Sequence, residues 1–120
     1  MWAFMERRRY RRYNVEWNGS LRCVFPDSEE DLQIRVTEVS STGARLALDR
    51  LQIGPHHLVV GNAHPNFELS VLLPEGLFLA PIGIRWYNWD ENERCFLLGV
   101  EFSRVEEESR SILKHAMENA

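Results

Sequence analysis

The feature that most constrains the fold is an alternation of apolar and polar residues that recurs through much of the chain. Six segments follow it: residues 15–25, 32–39, 43–48, 67–73, 77–89 and 94–102. Turn-forming residues separate several of them, at 27–31, 74–76 and 90–93. A period of two puts the apolar side chains of a strand on one face, which favours an antiparallel, mainly all-β architecture. We expect about six or seven strands closed into a small barrel, because closure removes exposed strand edges.

The last part of the chain changes period and predicts one amphipathic helix. Apolar residues recur near helical spacing after position 103: Val105, Ile112, Leu113, Ala116 and Met117. Ser103 followed by Glu106 forms a capping-box pattern, which predicts a helix over residues 104–118 that packs against the barrel. Residues 50–66 carry the weakest pattern and are predicted to form a loop that contains a short strand.

Length and composition bound the class of protein. The chain has 120 residues, of which 44% are hydrophobic, and this suits one domain with a real core. No apolar run approaches the roughly 20 residues of a membrane span, and the first charges follow a very short apolar piece, unlike a signal peptide. We therefore predict a cytoplasmic protein without membrane insertion. Cys23 and Cys95 are predicted to be reduced core thiols, with a disulfide or redox pair as the alternative.

Positive charge is concentrated in one short stretch, "ERRRYRRY" at residues 6–13. Its five arginines and one glutamate carry a charge of +4 within a chain of net charge −4, so the remainder carries −8. A nucleic-acid-binding domain usually spreads its basic charge over a face of the fold. A focal basic arm on an acidic body is better suited to a small, compact anion. The alternatives are a solvated basic terminus without a partner and a loose nucleic-acid contact.

Two short motifs carry most of the functional information. The arm contains RRxxxR, as Arg7, Arg8 and Arg12, and the segment between two predicted strands contains ExSxxG, as Glu38, Ser40 and Gly43. This pairing resembles the PilZ domain family, which binds the bacterial second messenger cyclic di-GMP. Members of that family carry RxxxR just before the first strand and [D/N]xSxxG about 20 to 30 residues later. The later segments "LLPEG", "IRW" and "LLGVEF" with a final helix are also similar to the family.

The resemblance implies a fold and a division of the chain. The fold would be a six-stranded antiparallel PilZ-type β-barrel with a C-terminal α-helix. Residues 1–13 would form a flexible basic arm that is part of the ligand site, and residues 14–120 the barrel domain with its helix at 104–118. The arm would be mobile when empty and would fold over the ligand.

The resemblance also implies roles for the motif residues. Arg8 and Arg12 would hold a phosphate and a guanine edge, since a planar guanidinium pairs bidentately with either, and Arg7 would add a further contact. Ser40 would offer its hydroxyl to the guanine edge or phosphate. Gly43 would allow a tight corner, with a positive φ as one way to form it, that brings the backbone close to the ligand.

One motif position departs from the family, and one aromatic residue is a further candidate. Glu38 stands where the family usually has Asp or Asn. Its carboxylate can still accept hydrogen bonds from guanine N1–H and N2–H₂. The extra methylene moves the carboxylate outward and adds rotamer freedom to the side chain. Trp86, on the long predicted strand, is a candidate to border the ligand, with ordinary core or rim packing as the alternative. A basic residue directly before RxxxR often accompanies a stacked ligand dimer in the family, so one and two ligands per chain both stay open.

The resemblance implies that the protein is a cyclic di-GMP receptor or adaptor and not an enzyme. It would signal to an unidentified downstream effector protein, as a monomer or weak dimer. Control of motility, biofilm or exopolysaccharide is the family-level expectation. The first alternative is a PilZ-fold protein-interaction module whose Glu38 weakens or abolishes nucleotide binding; the second is a nucleic-acid-binding barrel, which the acidic body disfavours. His56, His57 and His64 suggest a metal site, but ligand spacing is lacking, so we predict exposed loop histidines, no metal and no cofactor.

Overall fold

The computed structural model describes residues 10–61 and 64–120. Its strands are β1 (Tyr13–Val24), β2 (Glu29–Val39), β3 (Gly43–Leu48), β4 (Gln52–Ile53), β5 (His56–His57), β6 (Asn66–Leu73), β7 (Gly76–Asp90) and β8 (Cys95–Phe102). Six of these strands close into an antiparallel barrel in the order β1-β2-β3-β8-β7-β6. One helix, α1 (Glu107–Glu118), follows the last strand. The predicted six-stranded barrel with a C-terminal helix is confirmed.

The alternation seen in the sequence fills the interior of the barrel. Leu21 of β1 faces Leu32 of β2 on one side and Leu69 of β6 on the other, while Leu46 of β3 faces Leu98 of β8. All five side chains are buried in one apolar cluster. Each such burial contributes roughly 1.5–3 kcal/mol, so the register that keeps the period-two faces inward is strongly favoured.

Helix α1 begins three residues later than the capping-box pattern predicts. The backbone N–H of Ser103 donates to Pro81 O at 2.9 Å, which extends the pairing of β8 with β7 beyond the strand. The Glu106 carboxylate accepts from Arg104 Nε at 2.8 Å and makes no cap. The prediction of a helix from 104 is therefore wrong, because sheet pairing and this ion pair engage the two residues of the expected box.

The helix packs against β7 through a small interface. Leu113 and Ala116 are buried in the core cluster, and the Ser109 hydroxyl accepts from the backbone N–H of Leu79 at 3.1 Å. Across the described part of the chain, no helix combines the length and the apolar character that a membrane crossing needs.

Other boundaries shift by a few residues. Strand β1 starts at Tyr13 and β2 at Glu29, inside the turn predicted for 27–31. Among the described residues of the loop predicted for 50–66, two paired two-residue strands, β4 and β5, stand in place of one short strand. Both cysteines are buried and free, as predicted for core thiols.

Three irregularities interrupt the barrel ladders. They lie between Asn14 and Trp17 in the β1–β2 pair, between Val36 and Glu38 in the β2–β3 pair, and between Ile84 and Trp86 in the β7–β8 pair. A bulge bends a strand and changes where its side chains point. Since these shifts adjoin residues 38 and 86, they help to shape the surface on which the motifs meet.

Candidate ligand-binding site

A depression of about 210 Å³ lies where β2, β3, β8 and β7 adjoin, and it gathers the predicted site residues. Every predicted ligand contact within the described residues lines it: Arg12, Glu38, Ser40, Gly43 and Trp86. Arg7 and Arg8 lie outside the described residues. Thr42, Arg45, Arg85, Gly99 and Glu101 also line the depression, and none of these five was singled out from the sequence.

The two motifs meet through an ion pair. Arg12 Nη1 lies 3.3 Å from Glu38 Oε1, although 26 positions separate the two residues. The register of the first two strands explains the contact, because Asn14 pairs with Glu38 and Tyr13 with Val39. The last residues of the arm therefore lie beside the β2–β3 corner. Glu38, which departs from the family pattern, is the ion-pair partner of Arg12, the last arginine of RRxxxR.

The β2–β3 corner is held by the Ser40 hydroxyl. Ser40 is 8% exposed, and its Oγ accepts from the backbone N–H groups of Thr42 at 3.2 Å and Gly43 at 3.3 Å. The Ser40 N–H in turn donates to Gly43 O at 2.9 Å. A hydroxyl that receives two backbone donors is part of the turn itself. Donation from Ser40 to a ligand stays a prediction.

Gly43 allows a close backbone approach, and it does so without the positive φ that was one way to form the corner. The described glycines with positive φ are Gly54, Gly61 and Gly76. A Cβ at position 43 would instead stand 2.3 Å from Val100 O on β8. The absence of a side chain thus lets β3 pair closely with β8 at the edge of the depression.

Trp86 lies on a glycine of the neighbouring strand. Its cross-strand partner is Gly99, and a Cβ there would fall 2.0 Å from Trp86 Nε1. The indole is 46% exposed, so it rests on β8 and presents part of its surface to solvent. A contact between Trp86 and a ligand stays a prediction. Gly99 was missed, although a glycine inside a strand pattern often marks a close approach.

Charged residues outside the two motifs also line the depression. Arg85 and Glu101 form an ion pair at its β7–β8 side, and Arg45 donates from Nε to Thr37 Oγ1 at 3.0 Å. Three arginines and two glutamates therefore line it, a local excess of +1 on a chain of net charge −4. Nothing in the sequence separates these residues from other outward polar positions of strands.

The histidines of the 50–66 segment have structural contacts. His56 stacks on Phe25 with ring centroids 4.3 Å apart and lies 2.7 Å from Asp27 through Nε2. The ring nitrogen Nδ1 of His57 accepts from the N–H groups of Val59 and Val60, each at 3.0 Å. Both are half-buried, so the prediction of exposed loop histidines is wrong for them. The described residues contain no group of three or more His, Cys, Asp or Glu arranged to hold a metal.

The arrangement suits binding of a flat, anionic molecule. Guanidinium groups bind phosphate and the O6/N7 edge of guanine, an exposed indole stacks on a base, and a carboxylate accepts from N–H donors.

Comparison with known proteins identifies the fold. A model of the PilZ domain matches residues 6–119. The Bacillus subtilis inhibitor of motility (MotI/DgrA) has a TM-score of 0.69 at 15% identity, covering 94% of this chain and 50% of that chain. The PilZ domain of YcgR from Escherichia coli with c-di-GMP has a TM-score of 0.64 at 19% identity, covering 94% of this chain and 90% of that chain.

A further structure, YcgR from Escherichia coli in complex with c-di-GMP, has a TM-score of 0.65 at 19% identity and covers 94% of this chain and 45% of that chain. This chain thus spans about half the length of the motility inhibitor and less than half of that YcgR chain. No curated protein matches the sequence significantly.

Proposed function

The chain belongs to the PilZ domain family, and from this premise we propose that it is a non-enzymatic receptor for cyclic di-GMP that signals to a downstream protein. One observation carries the proposal: Arg12 of RRxxxR and Glu38 of ExSxxG, 26 positions apart, meet at 3.3 Å in the depression that Trp86 also lines. Two structural neighbours are described as holding c-di-GMP. The proposed location is the cytoplasm.

The chemistry of the ligand matches these side chains. Cyclic di-GMP presents two phosphates and two guanines. In the proposed complex Arg12 binds a phosphate or the guanine O6/N7 edge, Glu38 accepts from guanine N1–H and N2–H₂, and a guanine ring stacks on the exposed part of Trp86.

The size of the depression supports a contribution from the arm. Pockets for ligands of drug size measure roughly 300–1,000 Å³, whereas the described residues enclose about 210 Å³. In the proposed complex the arm covers the ligand, and Arg7 and Arg8 complete the site. Folding of the arm over the ligand then changes the surface that the effector recognises.

A modest affinity follows from the opposing contributions. Each charge-assisted hydrogen bond contributes about 1.5–3 kcal/mol, and ordering of the arm costs about 1–2 kcal/mol per residue. We expect binding in the submicromolar to micromolar range, where a Kd of ~1 μM corresponds to about −8 kcal/mol.

Calorimetric titration tests the proposal directly. Wild-type protein and the variant with Arg8→Ala plus Arg12→Ala are titrated with cyclic di-GMP, GTP and a short oligonucleotide. We expect heat with cyclic di-GMP only, and its loss in the variant. Arg104→Ala is a matched control, because this exposed arginine lies outside the depression. Absence of heat in wild type contradicts the proposed function, and undiminished binding in the double variant contradicts the proposed site.

A second candidate, a PilZ-fold interaction module with weak or no nucleotide binding, is favoured by one observation. Arg12 and Arg85 are each already paired with a carboxylate, Glu38 and Glu101. Glu38→Asp addresses this candidate, since Asp is one of the two residues that the family usually carries at this position. A rise in cyclic di-GMP affinity would identify Glu38 as the cause of weak binding. The third candidate, a nucleic-acid-binding barrel, requires heat with the oligonucleotide.

A further inference from the structure

A second arginine–carboxylate pair lines the depression on the strands that lie beyond Gly43. Arg85 of β7 and Glu101 of β8 form an ion pair, and both residues line the same depression as Arg12 and Glu38. Neither Arg85 nor Glu101 belongs to RRxxxR or ExSxxG. Of the three guanidinium groups that line the depression, those of Arg12 and Arg85 are therefore each held by a carboxylate.

A bulge brings Arg85 to this surface. Successive residues of a regular strand point to opposite faces, yet Arg85 and Trp86 both line the depression. The register of β7 with β8 explains this, because it passes from the pair Ile84–Val100 directly to Trp86–Gly99 and leaves Arg85 as the extra residue. Such a bulge re-aims a side chain beside a functional surface.

Glu101 has little else to contact. Its cross-strand neighbours are Gly43 on β3 and Gly83 on β7, so no side chain stands directly beside it on either strand. Arg85 is the one hydrogen-bond partner of its carboxylate among the described residues. The pair is also exposed, at 65% for Arg85 and 52% for Glu101, and exposed ion pairs contribute little to stability. A ligand anion can therefore displace the carboxylate at small cost.

We propose that Arg85 is a second ligand-binding arginine of this site and that Glu101 competes with the ligand for it, which sets the ligand concentration at which the site fills. The inference rests on the proposed cyclic di-GMP function. The two phosphates of one ligand match two guanidinium groups, that of Arg12 just before β1 and that of Arg85 on β7, since each phosphate can accept a bidentate pair of N–H donors. Exchange of the Glu101 carboxylate for a ligand phosphate or guanine edge keeps the donors of Arg85 satisfied throughout.

A double-mutant cycle separates competition from simple repulsion. Cyclic di-GMP is titrated into wild type, Arg85→Ala, Glu101→Gln and the double variant. We expect Arg85→Ala to weaken binding about 10-fold, which is ~1.4 kcal/mol, and Glu101→Gln to tighten it by about 3- to 10-fold. The double variant should bind like Arg85→Ala, because Glu101 acts through Arg85. Equal tightening by Glu101→Gln with and without Arg85 would show that Glu101 only repels the anion and would overturn the proposal.

The controls distinguish this inference from the function on which it rests. Arg22 and Glu29 form a cross-strand ion pair of similar exposure, 52% and 49%, outside the depression. Arg22→Ala and Glu29→Gln should leave the affinity unchanged, and circular dichroism melts check that all variants fold. Unchanged binding in Arg85→Ala overturns the inference while the function stands. Absence of binding in wild type and in Glu101→Gln overturns both.

Discussion

The indole of Trp86 occupies the space that a side chain at position 99 would fill. A Cβ on Gly99 would stand 2.0 Å from Trp86 Nε1 and 2.1 Å from Trp86 Cε2. Gly99 is buried, and its strand neighbours Leu98 and Val100 face the core. The position of the exposed aromatic ring at the candidate site is therefore set by a residue of β8.

Gly99→Ala should remove Trp86 from the site without unfolding the barrel. The new methyl group collides with a side chain that is already 46% exposed and can swing outward. Loss of a stacking contact of about 1–3 kcal/mol should weaken cyclic di-GMP binding by about 10-fold, measured by calorimetry, and should alter tryptophan fluorescence. Gly83→Ala is the matched control, since no atom of the described residues lies within 4 Å of a Cβ there. Wild-type affinity in Gly99→Ala would exclude Trp86 as a contact.

Gly43→Ala should destabilise the fold. The added methyl group would stand 2.3 Å from Val100 O, a backbone atom of the paired strand that cannot swing away. Overpacking of this kind costs about 1–3 kcal/mol, which urea unfolding will detect as a lower midpoint at unchanged slope. Gly83→Ala should stay within about 0.5 kcal/mol of wild type. Equal stability of the two variants would contradict the close approach of β3 and β8.

Ser40→Ala should loosen the corner that carries Glu38 and Gly43. It removes the oxygen that accepts from the N–H groups of Thr42 and Gly43, and loss of such bonds costs about 1 kcal/mol. Urea unfolding measures the loss, and cyclic di-GMP titration should show weaker binding. Ser41→Ala is the control, because Ser41 is exposed in the same turn. The turn-holding role is refuted if both variants unfold at the same urea concentration.

Cys23 should make the protein less stable at alkaline pH. Burial raises the pKa of its thiol from 9.0 to about 12, with further contributions from Asp31 and Glu30. Between about pH 9 and pH 12 the unfolded chain releases this proton and the folded chain keeps it, so stability falls as pH rises, by up to about 1.4 kcal/mol per unit. Urea unfolding at several pH values measures the slope. Cys23→Ala should flatten it, and an unchanged slope would refute the assignment.

The barrel was predictable because its cause is local to each strand. Leu21, Leu46 and Leu69 lie in period-two patterns, and burial of those faces favours strands that surround one apolar core. The start of α1 was not predictable from the sequence, because the Ser103 N–H is hydrogen-bonded to Pro81 O and the Glu106 carboxylate is paired with Arg104. Local helix propensity competes there with contacts made by residues distant in sequence.

The sequence by itself determined the strand faces, the family and the two motifs that meet as Arg12 and Glu38. Only the tertiary structure decided that Arg85, Gly99 and Glu101 adjoin them. The physical reason is that alternation assigns a side chain to a face but does not say which strands are neighbours. The pairing of β8 between β3 and β7, and the bulge that turns Arg85 to the surface, arise only when the barrel closes.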